Sequence, residues 1–227
     1  MGSLRPMPIL MSPEIAGLLD RLFAEADRND PAAFARFHAA TDSRVQPASD
    51  RERAVLMRDI YMPVSREVGR LLYVLARSRR ARTIVEFGTS LGISGIHLAA
   101  ALRDNGGGRL VTTELDDIKA GRAQENFRAA GLDDLIEIRV GDAFETLQAD
   151  LGGPVDLLLL DGWKELYLPM LQFLESRLAP GAVIAADDLA IAPDALASYL
   201  AYVRRPENGY VSVEVPLGDR IEISLRG

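Results

Sequence analysis

Thr83-Ile84-Val85-Glu86-Phe87-Gly88-Thr89-Ser90-Leu91-Gly92-Ile93-Ser94-Gly95 is an apolar run of strand length that breaks into a glycine-rich turn and then into a helical pattern from Ile93 to Leu102. A short apolar run followed at once by a helix is the opening of a βα unit whose strand is buried on both faces. The same alternation continues downstream. Strands are predicted at Leu110–Glu114, Ile136–Val140, Val155–Leu160 and Ala182–Ala186, with helices at Asp117–Ala130 (stopped by Gly131), near Glu165–Leu178 and near Pro193–Val203. This pattern predicts a doubly wound, mostly parallel α/β sheet of Rossmann-like form. The end differs: Tyr210–Val215 and Arg220–Leu225 each alternate apolar and polar residues around Pro216-Leu217-Gly218-Asp219, as a C-terminal antiparallel hairpin does.

Upstream, Ser12-Pro13-Glu14 combines an N-cap, a proline at the first helical position and a first-turn acid, followed by Ile15, Leu18, Leu19, Leu22 and Phe23 at helical spacing. Asp30-Pro31 repeats that start signal and predicts a second helix carrying Phe34 and Phe37. Residues 40–50 read as a polar loop, and a third helix is expected from Asp50 to Asp59. Ser65 can cap a helix whose Val68, Leu71, Leu72 and Leu75 form one apolar face. Arg77, Arg79, Arg80 and Arg82 at its end read either as a nucleic-acid patch or, more simply, as solvent-facing complements of a helix C-terminus. The chain thus divides into a flexible N-terminus (1–11), an N-terminal helical cap (12–61) and the α/β domain (62–227).

The 227 residues, 48% of them hydrophobic, suffice for one α/β domain with a modest addition. With no cysteine there is neither a disulfide framework nor a thiolate metal site, and His38 and His97 lack zinc-type spacing. No apolar run approaches the roughly 20 residues of a membrane span, and Met1 to Met11 lacks the order of a signal peptide. A cytoplasmic protein is expected. A formal net charge of −7 offers no general attraction to nucleic acid or to an anionic membrane and favours small-molecule substrates.

In open α/β sheets ligands bind beyond the carboxyl ends of the parallel strands, so the residues that end each strand carry the functional reading. The turn from Glu86 to Gly95 lets a nucleotide approach the backbone at a helix N-terminus, although such a turn can also simply close a tight βα connection. A dinucleotide fingerprint starting at Gly88 needs glycine where Ser90 and Ile93 stand, and a P-loop needs a lysine that this turn lacks. Glu114 ends the second strand, where an acid accepts from ribose hydroxyls; it can equally cap the next helix beside Asp116 and Asp117. Gly141-Asp142-Ala143 ends the third strand, and Asp142 too can be a helix cap. Asp161-Gly162-Trp163-Lys164 and Asp187-Asp188 gather three carboxylates and a lysine at one sheet edge, where like charges call for a compensating cation. Taken singly, Asp161 can cap a helix, Lys164 can be solvated, Asp187-Asp188 can be a polar turn and Trp163 can fill the core.

The pattern Glu-x-Gly-x-x-x-Gly resembles the first motif of class I S-adenosylmethionine-dependent methyltransferases. Asp161-Gly162-Trp163-Lys164 with Tyr167-Leu168-Pro169, followed by Asp187-Asp188, resembles the catechol and caffeoyl-CoA O-methyltransferase family, and the likeness runs from about Tyr61 to Leu225. The resemblance implies that residues 62–227 form an S-adenosylmethionine-binding methyltransferase domain. It implies that Asp161, Asp187 and Asp188 hold a divalent cation, usually magnesium; position 188 is usually asparagine in that family. Val64 and Ser94 would hold the methionine end of the cofactor, with Glu86, Gly88, Ser90 and Asp161 around them. Glu114 would bind the ribose, Asp142, Ala143 and Trp163 would frame the adenine, and Lys164 would be the general base. Tyr61 can belong to the substrate gate, and the segment between Asp188 and Pro193 is shorter than in the catechol enzymes. The implied activity is methyl transfer to a hydroxyl of a small catechol-like or hydroxycinnamoyl-type substrate by a homodimer. Methylation of a hydroxyl on a modified RNA base, a non-catalytic nucleoside-binding protein of the same fold, and a nicotinamide dehydrogenase remain as alternatives.

Overall fold

The structure, a computed structural model, describes residues 7–41 and 49–227. Its centre is a seven-stranded sheet built from β1 (Thr83–Phe87), β2 (Arg109–Glu114), β3 (Ile136–Val140), β4 (Val155–Leu160), β5 (Leu178–Ala186), β6 (Tyr210–Val215) and β7 (Ile221–Arg226), in the order β3-β2-β1-β4-β5-β7-β6. The first five strands are parallel and β6 and β7 form the expected antiparallel hairpin, which joins the sheet through β7 antiparallel to β5. The strand order reverses between β1 and β4, which makes the crevice at their carboxyl ends the topological switch point.

The helices are α1 (Pro13–Ala40), α2 (Asp50–Leu56), α3 (Arg66–Arg79), α4 (Ile93–Asp104), α5 (Asp117–Ala129), α6 (Ala143–Thr146), α7 (Tyr167–Leu174) and α8 (Pro193–Val203). They cover both faces of the sheet. Ile84, Leu157 and Leu159 face a core shared with α1, α3 and α4, whereas Val85, Leu158 and Leu160 face one shared with α7 and α8. Leu157 to Leu160 are all fully buried, each contributing about 1.5–3 kcal/mol of transfer free energy. Among the described residues no helix is long and apolar enough to cross a membrane.

Four expectations need correction. The predicted break at Asp30-Pro31 is absent: α1 runs through Pro31, because the Asp30 carboxylate accepts from the backbone N–H groups of Tyr61 (2.8 Å) and Met62 (2.9 Å) instead of starting a helix. The third helix stops at Leu56, short of Asp59. The helix expected near 165–178 is three pieces, a 3-10 turn at Lys164–Leu166, α7, and a 3-10 turn at Glu175–Arg177; β5 already begins at Leu178, and Arg177 reaches the carbonyls of Leu147 and Ala149. Flexibility up to Met11 does not hold for Ile9–Met11, a 3-10 turn with Leu10 buried and Ile9 N–H donating to Asp104 at 3.0 Å. Residues 1–6 of the expected flexible terminus and 42–48 of the expected loop lie outside the described residues.

Three of the four arginines at the end of α3 and just beyond it are engaged, and Arg80 is exposed. Arg77 donates to Asn105 Oδ1 (2.6 Å), Arg79 to Pro180 O (2.8 Å) and Arg82 to Asn105 O (3.3 Å), which ties them to the edge where the parallel strands begin. The strands' carboxyl ends lie at the opposite edge.

Candidate active site

Three turns at those carboxyl ends are laced together through the backbone. Asp161 N–H donates to Phe87 O (2.9 Å), Asp187 N–H to Leu160 O (3.0 Å) and Thr89 N–H to Thr113 O (3.0 Å). Gly88, at φ 103°, permits the closest of these approaches, since a Cβ there would stand 2.5 Å from the Asp161 carbonyl oxygen. Glu86 is fully buried and accepts from Ser94 Oγ and, at 2.6 Å, from Thr112 Oγ1. Burial pushes its carboxyl up to about 7, against the pull of the two hydroxyls.

A strap from the helical cap crosses this turn. Tyr61, Met62, Pro63 and Val64 meet Ser90, Ser94 and Asp161 around one cleft. Ser90 Oγ donates to Tyr61 O (2.6 Å), and Tyr61 OH donates to Glu25 (3.1 Å) while accepting from Arg122 (2.8 Å). Arg58 grips Asp116 through two nitrogens, the shorter contact being 2.6 Å. The structure thus brings together Val64, Gly88, Ser90, Ser94 and Asp161, with Glu86 directly behind Ser94.

At the second strand end, Glu114 accepts from the N–H groups of Ser90 (2.9 Å), Leu115 (2.9 Å) and Asp116 (3.0 Å), and burial pushes its carboxyl upward. Asp116, not Glu114, caps α5, by accepting from Lys119 N–H at 2.9 Å. The capping alternative for Glu114 therefore falls. Asp142 does cap α6, through Phe144 N–H at 2.7 Å, and is exposed, whereas Ala143 is buried. Trp163 lies against cap residues Ala33, Met57 and Ile60, with the Arg53 guanidinium 3.9 Å from its ring centroid.

At the fourth and fifth strand ends, Asp161, Asp187 and Asp188 each offer a ligand oxygen, all within 4.8 Å of one another. Asp187 is almost fully buried and its Oδ1 has no hydrogen-bond partner. Burial and then the Asp188 charge push Asp187 up to about 7; burial drives Asp161 well above the usual carboxylate range despite Lys164. Lys164 Nζ donates to Tyr167 OH (2.7 Å) and Asp188 Oδ2 (2.9 Å), and stands 3.6 Å from Asp161 Oδ1. Tyr167 OH in turn donates to the Asp187 carbonyl oxygen (3.1 Å). With all three carboxylates ionised, one lysine leaves a formal charge of −2, which burial opposes at Asp161 and Asp187 unless a further cation compensates it, and one oxygen is unpartnered. That donor set fits a hard divalent cation.

Sequence reading missed Lys119, Asp116 and Arg58 as supports of the turns at Ser90 and Glu114. Lys119 is buried, with Nζ donating to Ser90 Oγ at 3.2 Å, and burial draws its ammonium downward. The only signal was a lysine three residues after a capping acid, which is common on exposed helix faces.

Residues 85–189 match a family described as a methyltransferase domain. Catechol O-methyltransferase of Niastella koreensis is 37% identical over 129 residues, covering 56% of this chain and 58% of that protein, so the chain spans little more than half of that relative. Catechol O-methyltransferase of Sus scrofa is 33% identical over 149 residues, covering 63% of this chain and 78% of that protein. The solved structure of the O-methyltransferase TomG from Streptomyces achromogenes, in complex with SAM, is 28% identical with a TM-score of 0.63, covering 89% of this chain and 98% of that one. With the sheet order and the strand-end acids already in place, these likenesses decide the class: the chain belongs to the class I S-adenosylmethionine-dependent O-methyltransferase family of the catechol and caffeoyl-CoA type.

Proposed function

We propose that this protein transfers a methyl group from S-adenosylmethionine to a hydroxyl of a small catechol-like or hydroxycinnamoyl-type acceptor, with a divalent cation, magnesium first, held by Asp161, Asp187 and Asp188. One observation carries the reading: the partly buried three-carboxylate cluster with its unpartnered Asp187 oxygen sits beside the cleft in which Val64, Ser90 and Ser94 converge. When bound, the cofactor supplies an electrophilic methyl group and the cation polarises adjacent aryl oxygens. Val64, Ser94 and the Gly88–Ser90 turn receive the methionine end, with Glu86 fixing the Ser94 hydroxyl. Glu114 accepts from the ribose hydroxyls, while Asp142, Ala143 and Trp163 border the adenine. Lys164 Nζ, in its deprotonated form, takes the proton of the acceptor hydroxyl and is positioned by its hydrogen bond to the Tyr167 hydroxyl. Most of the rate enhancement then comes from holding oxygen and methyl group in line.

In this reading residues 12–61 act as a cap over residues 62–227, and the hydrogen bonds from Asp30 and Ser90 to the strap support that role. The family likeness supports a homodimer, and the absence of cysteine fits the cytoplasm. Calorimetry with S-adenosylhomocysteine tests the cofactor assignment. Replacing Glu114 by alanine removes both ribose acceptors, so affinity is expected to fall by about tenfold or more; unchanged binding would overturn the assignment.

A further inference from the structure

We propose that Lys164 is an internal counter-ion of the carboxylate cluster, tethered to Asp188, and that a divalent cation must displace it, so that metal loading and release of the lysine are one event. The inference rests on reading Asp161, Asp187 and Asp188 as the cation site. Both anchors of the lysine are fixed. Asp188 stands at φ 65°, and the chain after it is pinned to the C-terminal hairpin by Leu189 N–H to Arg220 O (2.9 Å) and Ala190 N–H to Asp219 O (2.8 Å). Tyr167 is fully buried, its ring set edge-on to Tyr199 with centroids 5.9 Å apart and its hydroxyl committed to the Asp187 carbonyl. Lys164 is itself only 12% exposed, so water screens its charge weakly.

An ammonium 2.9 Å from Asp188 Oδ2 and 3.6 Å from Asp161 Oδ1 occupies the electrostatic centre that a cation coordinating those oxygens needs. A magnesium ion about 2.1 Å from a carboxylate oxygen would stand within a few ångströms of Nζ, and two positive charges so close repel by several kcal/mol at surface-like dielectric. The cation therefore takes Asp188 and the lysine gives it up. The Tyr167 hydroxyl remains as the lysine's partner and keeps it at the site. A neutral amide at position 188 would offer no charge for this pairing. The exchange is thus a property of the aspartate that this chain carries there.

Titration of Mn2+ into the full-length, EDTA-stripped protein, without cofactor or acceptor, tests the exchange. Lys164→Met is expected to bind Mn2+ about tenfold more tightly than the wild type, and Lys164→Arg to stay near it. In an Asp188→Asn background the gain from Lys164→Met is expected to shrink to less than about threefold, because the pair to be broken is already gone. An equal gain in both backgrounds, or none in either, overturns the proposal while the cation site stands. Absence of saturable Mn2+ binding in the wild type removes the site reading and the proposal with it. Mass-spectrometric mapping of amine labelling on the wild type needs no variant: modification of Lys164 is expected to rise at least about threefold on adding Mg2+, as a freed side chain requires. Unchanged or reduced labelling overturns the exchange.

Discussion

Gly88 and Glu86 carry two separate consequences two residues apart. A methyl group at position 88 would meet the Asp161 carbonyl at 2.5 Å, and the φ of 103° disfavours any L side chain. Gly88→Ala is therefore expected to push the 161–164 turn away from β1 and to cost at least about tenfold in S-adenosylhomocysteine affinity by calorimetry, with the melting temperature lowered. Glu86 acts through pH. Its carboxyl titrates near 4.5 when unfolded and near 7 in the fold, so the folded state binds its proton more tightly. Below pH 4.5 both states hold the proton and nothing is lost; between 4.5 and about 7 the unfolded chain ionises first, and stability falls as pH rises; above 7 the loss is complete. The full effect is on the order of 3 kcal/mol. Glu86→Gln is expected to match the wild type in urea unfolding near pH 5 and to exceed it above pH 7; parallel pH profiles would refute this. The acids that end strands were legible in the sequence because an apolar run marks where each strand stops. Their partners were not, since Ser90 with Lys119, Arg58 with Asp116 and Lys164 with Asp188 meet only after the chain folds.

The strap is the element through which the N-terminal helices reach the cleft at the 88–94 turn. Asp30 holds it by two backbone N–H groups, and Ser90 holds it by the Tyr61 carbonyl. Removing the Asp30 carboxylate leaves both donors unpaired at a part-buried site, a loss of about 1–3 kcal/mol. Asp30→Ala is accordingly expected to weaken S-adenosylhomocysteine binding about tenfold while the far-UV circular dichroism is kept, and unchanged affinity would show that the strap takes no part. The same residue explains why the N-terminal helices depart from their local sequence signals. Asp-Pro is a sound local start signal, but the long-range claim of Tyr61 and Met62 on Asp30 outweighed it, and α1 continued. The parallel strands were legible because buried βα units leave the same pattern wherever they occur. The 164–178 region was not, because Lys164 and Tyr167 are tied to Asp188 and to the Asp187 carbonyl, and Leu178 already belongs to β5.

At the scale of the molecule, the two edges of the parallel sheet differ in what they gather. Arg77, Arg79 and Arg82 are engaged at the edge where the parallel strands begin, and Asp161, Asp187 and Asp188 gather at the edge where they end. Two cores flank the sheet and hold β1, β4 and β5 rigid, so that their carboxyl ends present the acids in fixed register. On such a scaffold the three carboxylates are held together, and the proposed function gives their negative charge to a divalent cation. The central claim is therefore tested by following methyl transfer from S-adenosylmethionine to a panel of catechols and caffeoyl compounds by mass spectrometry, with magnesium and with EDTA. The expected result is a methylated product of at least one acceptor with magnesium and none with EDTA; turnover that survives EDTA undiminished would contradict the account.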